Sequence, residues 1–201
     1  MGCRRVYGER PGRRWSETYD PAVFTTERLR LRRWQEGDVA PFAAMSVDPD
    51  VMRYFPSFVS QEDTRALVQR FDGVFDEHGF GPWALEHDGE FVGFTGLLVH
   101  TFPAHFTPAV EVGWRLRREA WGRGFATEAA REALRIGFEE HDLDEIVSMT
   151  VPANVRSVAV MERLGMTRDR ADDFDHPRVE EGSPLRRHVL YRLSRSQWAG
   201  S

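Results

Sequence analysis

The stretch Trp121-Gly-Arg-Gly-Phe-Ala126, which continues into Thr127-Glu-Ala-Ala-Arg-Glu-Ala-Leu134, decides the fold. It follows a run of β-forming residues at 109–116, so the order predicts a strand, a glycine turn and an amphipathic helix. The first N–H groups of a helix lack partners within it, and the positive end of the helix dipole favours anions. Glycines let this backbone approach a phosphate closely. The stretch therefore predicts a site for the pyrophosphate of a phosphorylated cofactor.

Positive charge is concentrated beside this turn, although the whole chain is acidic. The arginines concerned are Arg115, Arg117, Arg118 and Arg123. They are interpreted either as a solvated surface or as ligands of cofactor phosphates. The 201 residues carry a net charge of −5, which argues against a dedicated nucleic-acid-binding domain. With 41% hydrophobic and 12% aromatic residues, the chain is long enough for one domain with a real core.

Cysteine usage and hydropathy narrow the expected cellular compartment and the classes of partner. Cys3 is the single cysteine, so no internal disulfide can form, and no Cys/His spacing resembles a metal site. No apolar run approaches the ~18 residues of a membrane span. Residues 1–22 are rich in Arg and Gly and lack the apolar centre of a signal peptide. We therefore expect a cytoplasmic protein with an N-terminal arm at 1–22, no membrane partner and no metal.

Periodicity along the chain predicts one mixed α/β domain over residues 23–198. Ser60 is a helix N-cap, Asp88-Gly89 a hairpin turn, and Gly165 a left-handed helix end. The expected strands are 27–34, 83–87, 91–100, 109–116, 145–151, 166–174 and 187–193. The expected helices are 36–45, 48–54, one following Ser60, one from the glycine turn to about 140, and one from Asn154 to Gly165.

Four blocks in order carry a resemblance to a known family. The glycine turn fits the pattern Arg/Gln-x-x-Gly-x-Gly/Ala through Gly124 and Ala126, with Trp121 in the first position. The other three blocks are Thr26-Glu-Arg-Leu-Arg-Leu31, Asn154-Val-Arg-Ser157 through Glu162-Arg-Leu-Gly-Met166, and Tyr191-Arg-Leu193. Together they resemble the GNAT N-acetyltransferase superfamily, in the branch of the ribosomal-protein N-terminal acetyltransferases.

The resemblance implies an α/β (α+β) fold with a mixed, mostly antiparallel sheet, one splayed parallel strand pair, and helices on both faces. It also implies acetyl-CoA as co-substrate, bound between the strands at 109–116 and 145–151. The backbone of Trp114 and Leu116 would hold pantetheine. The implied cofactor-binding set is completed by Arg117, Trp121, Gly122, Arg123, Gly124, Phe125, Ala126, Thr127, Asn154 and Ser157.

Acetyl transfer to an amine needs a proton acceptor, because a free alkylamine has a pKa near ~10. Glu111 is our candidate for the general base, through one or more waters, since it is a carboxylate in an otherwise apolar strand. The alternative is that Glu111 lies on the strand surface or pairs with an arginine. By resemblance, the Leu116 N–H is a candidate donor to the oxyanion.

Two residues of the helix after 153 have competing interpretations. Asn154 is a good N-cap in any protein, and the resemblance adds a cofactor contact. Ser157 is either a polar first-turn residue or, by resemblance, a group near the cofactor sulfur that assists the leaving thiolate. Among the aromatic residues, Phe55-Pro-Ser-Phe58 is the segment expected to shape the acceptor site. The acids at 172–175 form either a solvated loop or an acidic rim for a cationic amine.

Two functions of different classes remain open at this stage. One is an acetyl-CoA-dependent N-acetyltransferase that acts on a primary amine, either a protein N-terminus or a small molecule. The other is a non-catalytic acyl-CoA-binding or sensing module with the same fold. The partner is then an amine-bearing acceptor, and the resemblance adds the option of a homodimer.

Overall fold

The Asp88-Gly89 turn joins two long strands, as the sequence predicts. In the computed structural model, which describes residues 23–57 and 60–200, Asp88 has φ +52° and Gly89 φ +80°. Two consecutive residues with positive φ make a type I′ turn, whose twist suits an antiparallel hairpin. The prediction of a hairpin is confirmed.

Groups of strands alternate with helices along the chain. The strands are β1 (Phe24–Thr25), β2 (Arg30–Arg32), β3 (Pro82–His87), β4 (Glu90–His100), β5 (Ala109–Leu116), β6 (Glu145–Thr150), β7 (Phe174–Asp175) and β8 (Arg187–Ser194). The helices are α1 (Glu36–Met45), α2 (Gln61–His78), α3 (Phe125–Arg135), α4 (Val155–Arg163) and α5 (Arg195–Ala199). Short 3-10 turns lie at Arg118–Ala120 and Arg170–Asp172, and a π turn at Ile136–Glu140 extends α3.

The strands form one eight-stranded sheet in the order β1-β2-β3-β4-β5-β6-β8-β7. Neighbouring strands are antiparallel except β5 and β6, which are parallel. β4 and β5 pair over eight residues of each strand, from Gly93 opposite Leu116 to His100 opposite Ala109. Between β5 and β6 the register contains one pair, Glu111 opposite Val147. The predicted mixed sheet with a splayed parallel pair is therefore confirmed.

Helices cover both faces of the sheet. On one face α3 and α4 pack on even-numbered residues of β5, and the buried core there includes Val110, Val112 and Leu116. On the other face α1 and α2 enclose an aromatic cluster around Trp34 and Phe42. Side chains alternate along a strand, so the odd-numbered residues of β5 lie on this second face. The single strand β5 therefore contacts both the α3–α4 layer and the α1–α2 layer.

Two predicted elements are wrong. Residues 48–54 form turns rather than a helix, because the Asp48 carboxylate accepts the N–H groups of Asp50 (2.8 Å) and Val51 (3.4 Å). Residues 166–174 are not one strand: Thr167 makes an isolated bridge to Arg192, and Asp169 then caps the 3-10 turn. The expected strand at 27–34 is shortened to β2.

The other predicted elements are found close to their expected bounds. Ser60 caps α2 by accepting the Asp63 N–H, and Gly165 has φ +79° after α4. The expected arm at 1–22, with Cys3, and also Phe58 lie outside the described residues. Within 23–57 and 60–200, no helix is both long enough and apolar enough to cross a membrane.

Candidate active site

The gap between β5 and β6 exposes backbone amides of β5. The Arg117 N–H donates to the Val92 carbonyl of β4 at 3.0 Å, and amides along a strand point alternately to its two neighbours. The N–H groups of Leu116 and Trp114 therefore point toward β6. Because the two strands pair at Glu111 and not beyond it, these amides face the open part of the gap. This geometry suits an extended amide-containing ligand laid between the strands.

The glycine turn fits an anion at the start of α3. Gly122 has φ +73° and Gly124 φ +81°, which other residues rarely adopt, and both are exposed. A Cβ at Gly122 would meet no atom within 4 Å, so the turn is open to a ligand. Gly124 is the N-cap and supplies no side-chain hydrogen bond to the N–H groups of Phe125, Ala126 and Thr127. These residues therefore fit a pyrophosphate.

The phenyl ring of Phe125 is buried and belongs to the hydrophobic core. The guanidinium of Arg28 lies 5.0 Å from the ring centroid, and that of Arg123 lies 4.5 Å away. Arg28 also donates to the Arg123 carbonyl at 2.8 Å and pairs with Glu128 at 2.6 Å. The sequence analysis missed Arg28, which lies almost a hundred residues before the turn that it supports.

Trp121 fastens the turn to the end of β5. Its indole N–H donates to the Leu116 carbonyl at 2.9 Å, and the Arg156 guanidinium of α4 lies 4.6 Å from the indole ring. The start of α4 is therefore held beside the glycine turn. At that start the Asn154 side chain accepts the Ser157 N–H at 3.4 Å and donates to Thr150 Oγ1 at 3.0 Å. Asn154 is thus an N-cap.

Ser157 lies one turn into α4 and is half-buried. Among the described residues, none forms a hydrogen bond with its hydroxyl. The hydroxyl is therefore available to a ligand, and the cofactor contacts expected for Asn154 and Ser157 stay predictions.

Glu111 pairs with a histidine. The His100 Nε2 lies 2.5 Å from Glu111 Oε2, and their side chains are 21% and 15% exposed. Burial opposes the charged form of His100, but the hydrogen bond and the charge of Glu111 together outweigh it and raise the His100 pKa. The alternative of an exposed or arginine-paired Glu111 is therefore not what the structure shows. Its role as a base stays a prediction.

His100 was missed, although the argument used for Glu111 applies to it. It ends an apolar run on β4, two residues beyond Leu98, which lies opposite Glu111. Two further imidazoles line this region: His176 lies 4.8 Å from the Phe102 ring and 5.1 Å from His188. Burial first, and then the positive charges of His188, His100 and Arg178, lower the pKa of His176. Burial likewise lowers the pKa of His188.

The expected arginine cluster is dispersed. Arg118 pairs with Asp48 at 3.7 Å and with Asp50 at 3.5 Å, whereas Arg123 stays at the turn. Arg115 lies on the odd-numbered face of β5, with its guanidinium carbon 3.9 Å from the centroid of Phe55. Phe55 therefore lies beside the odd-numbered face of β5, and its expected role in shaping the acceptor site stays a prediction.

The acids at 172–175 do not form a free acidic rim. Asp172 pairs with Arg192 at 2.6 Å, Asp173 with Arg168, and Asp175 with Arg187 at 3.3 Å. Their charges are compensated by arginines and attract a cationic acceptor only weakly. No cluster of His, Cys, Asp or Glu side chains suited to a metal ion occurs in the described part of the chain.

Comparison with known proteins agrees with this geometry. The family model described as an acetyltransferase (GNAT) domain matches residues 28–167. The chain belongs to this family. A GNAT acetyltransferase uses acetyl-CoA, and the open turn and strand gap are suited to that molecule. The match covers the turn, Glu111 and Asn154.

Three relatives illustrate the range of the family. The FsC-acetyl coenzyme A-N(2)-transacetylase of Aspergillus fumigatus is 33% identical over 165 residues, which are 77% of this chain and 68% of that protein. The crystal structure of a GNAT acetyltransferase from Bacillus anthracis is 27% identical with TM-score 0.71, covering 87% of this chain and 99% of that one. RimL, a ribosomal L7/L12 α-N-protein acetyltransferase in complex with coenzyme A, shares the fold at 18% identity and TM-score 0.69, over 86% and 97% of the chains. The resemblance to ribosomal-protein acetyltransferases thus extends to the fold.

Proposed function

We propose that this GNAT acetyltransferase transfers an acetyl group from acetyl-CoA to a primary amine, through a ternary complex and by direct attack of the amine. The amine belongs to a protein N-terminus or to a small molecule. The observation that carries the proposal is the strand gap beside Glu111 and His100, which leads to the open glycine turn at 122–124. The relative named as an acetyl coenzyme A N-transacetylase supports transfer to nitrogen.

The cofactor is held mainly by main-chain groups. The N–H groups from Gly122 to Thr127 bind the pyrophosphate, with Arg123 beside them, and the backbone of Trp114 and Leu116 binds the pantetheine amides. Arg117 and Asn154 complete these contacts. Bound acetyl-CoA supplies the acetyl group as an activated thioester. The Leu116 N–H stabilises negative charge that develops on the acetyl oxygen, and the Ser157 hydroxyl donates to the departing sulfur.

Glu111 and His100 act together on the proton of the acceptor amine. Glu111 accepts it through water, and His100, at 2.5 Å, holds the carboxylate in place and stabilises its charge. The hydrogen bond and the charge of Glu111 raise the pKa of His100, so the imidazole beside Glu111 is held more strongly in its charged form. His100 is therefore a positioning residue, and Glu111 is the proton acceptor, which acts through water.

Thiol release from acetyl-CoA, measured with a panel of amines and peptide N-termini, tests the proposal. Glu111→Gln should lower kcat by on the order of 100-fold or more while leaving the affinity for coenzyme A unchanged. Glu90→Gln, an exposed carboxylate on β4, is the matched control and should behave as the native protein. Acceptor-independent binding of coenzyme A, with no thiol release for any amine, would instead favour an acyl-CoA-sensing module.

A double variant tests the coupling of the two residues. His100→Gln should lower kcat, and Glu111→Gln should lower kcat at least as far. Because the residues form one unit, His100→Gln combined with Glu111→Gln should be no slower than Glu111→Gln alone. If the loss of kcat in the double variant equals the product of the two single losses, His100 acts independently of Glu111.

A further inference from the structure

Arg115 is a half-buried arginine without a counter-charge among the described residues. Its Nε and Nη1 atoms are shielded from solvent and donate no hydrogen bond to any described residue, and no carboxylate of the described residues forms an ion pair with it. Burial lowers the pKa of Arg115 to about 10. The buried Arg32, by contrast, donates to Asp38 at 2.6 Å and to Glu86 at 2.8 Å. Buried charge of this kind is costly unless a partner compensates it.

Aromatic rings hold the Arg115 guanidinium in place. Its central carbon lies 3.9 Å from the centroid of Phe55 and 5.5 Å from that of Phe94. A guanidinium stacked on rings keeps its N–H groups for a ligand in its plane, and that plane matches a carboxylate or phosphate. Phe55 is 37% exposed, so the stacked pair lies at the protein surface.

The sheet surface beside Arg115 is formed by two glycines, Gly113 and Gly96, which have no side chains. Gly113 of β5 lies opposite Gly96 of β4, and a Cβ at Gly113 would meet no atom within 4 Å. Glu111, Gly113 and Arg115 are alternate residues, so they lie on one face of the strand. At ~3.4 Å per residue, about 14 Å separate the Cα atoms of Glu111 and Arg115. An open strip therefore has a proton-accepting pair at one end and an uncompensated positive charge at the other.

We propose that Arg115 binds a carboxylate or phosphate of the acceptor while the acceptor's amine is directed to Glu111. This inference rests on the proposed function and deepens it, because it restricts the acceptors to amines that carry a negative charge. The negative charge of the ligand compensates the positive charge of the guanidinium, and the Phe55 ring stays stacked on that guanidinium. Acceptor specificity then depends on Arg115, whereas binding of acetyl-CoA does not.

Paired acceptors test this specificity. β-Alanine, 4-aminobutyrate and 6-aminohexanoate are each compared with their carboxamides, and O-phosphoethanolamine with ethanolamine. Dipeptide amides with Asp or Asn in the second position extend the series to peptide acceptors. The native protein should favour charged members, and Arg115→Met should raise their KM by on the order of 10- to 100-fold without changing the uncharged members. Preference for acids or for the phosphate then identifies the anion.

Matched variants separate charge from packing. Arg115→Lys should restore part of the preference, since it keeps the charge but loses the planar fork. Arg53→Met removes an exposed arginine paired with Asp50, and should leave every KM unchanged. Equal use of charged and uncharged acceptors by the native protein, or equal impairment of both by Arg115→Met, would overturn the proposal.

A binding measurement keeps this test independent of turnover. In the presence of coenzyme A, the ¹⁵N signal of the Arg115 Nε, assigned by its loss in Arg115→Lys, should shift on titration with the acids or the phosphate. It should not shift with the carboxamides. If no amine is acetylated but the signal shifts, the proposed function fails and the anion site stands. If acetylation occurs and the signal does not shift, the anion site fails alone.

Discussion

Gly96 and Gly113 lie opposite each other on β4 and β5, and we predict opposite effects on stability when each is replaced by alanine. An alanine methyl at Gly96 would lie 2.1 Å from the Gly81 carbonyl oxygen and 2.4 Å from the Pro82 Cα, whereas one at Gly113 would meet nothing within 4 Å. Neither glycine has a positive φ, so conformational strain does not enter. The comparison therefore isolates the space above each residue.

The magnitudes follow from these distances. At Gly96 the methyl is more than 1 Å inside the 3.4 Å at which ordinary contact begins, and the obstacle is backbone. We expect Gly96→Ala to cost about 3 kcal/mol or more, which corresponds to a fall in Tm of roughly 6 °C or more. Gly113→Ala should instead stabilise by about 0.4–1 kcal/mol, because alanine reduces the conformational freedom of the unfolded chain.

Urea unfolding and acceptor kinetics test the pair. In Gly113→Ala the methyl occupies the strip between Glu111 and Arg115, so kcat/KM for the acceptor should fall on the order of 10-fold in a protein at least as stable as the native one. Affinity for coenzyme A should stay unchanged. A loss of stability in Gly113→Ala above about 1 kcal/mol would refute the open sheet surface at Gly113, since an unobstructed methyl has no such cost. Native kcat/KM in a stable Gly113→Ala would show that the acceptor lies elsewhere.

Three further predictions concern the cofactor turn, the core and pH. Gly124→Glu should abolish binding of coenzyme A in calorimetry, because it places a carboxylate at a site for phosphates and strains a residue with φ +81°; normal affinity would contradict the turn's assignment. Asp38→Asn should cost about 3–5 kcal/mol in urea unfolding, since it leaves Arg32 with an incomplete buried pair, and a loss below 1 kcal/mol would show that the pair is dispensable. Because the pKa values of His176 and His188 are lowered, their neutral forms contribute stability that is present above pH 6.5 and lost as the pH falls through their folded pKa values. The free energy of unfolding should therefore drop between pH 7.5 and 5, and less so in a variant with Gln at both positions.

The cofactor side of the fold is readable from the sequence because it is made of local signals. A β-forming run and a pair of glycines before an Ala-rich helix specify β5, the turn and α3, whose observed bounds agree with expectation. Asn154 and Gly165 likewise mark the two ends of α4. Each signal acts within a few residues, so no knowledge of the sheet is required. The misassigned segment at 48–54 shows the limit, because there a side chain competes with the helical bonds.

The acceptor side depends on contacts between distant residues. His100 meets Glu111 because the eight-residue loop at 101–108 sets the β4–β5 register with Leu98 opposite Glu111. A change of register by one residue would move every side chain of a strand to the other face. Arg115 stacks on Phe55, sixty residues earlier in the chain, because α1 and α2 lie on that face. Sequence patterns identify such residues as unusual but do not state their partners.

Under the proposed function, the single strand β5 serves both substrates. Its even-numbered side chains fill the core under α3, its odd-numbered side chains border the acceptor strip, and its amides at Trp114 and Leu116 face the gap toward β6. The main chain is the same whichever residues occupy the odd positions, so the strand's hold on acetyl-CoA does not depend on them. We therefore expect the odd-numbered positions to set which amine is acetylated, and relatives that keep the fold can differ there. A substitution at these positions that weakens coenzyme A and the acceptor equally would show that the two sites are not separable in this way.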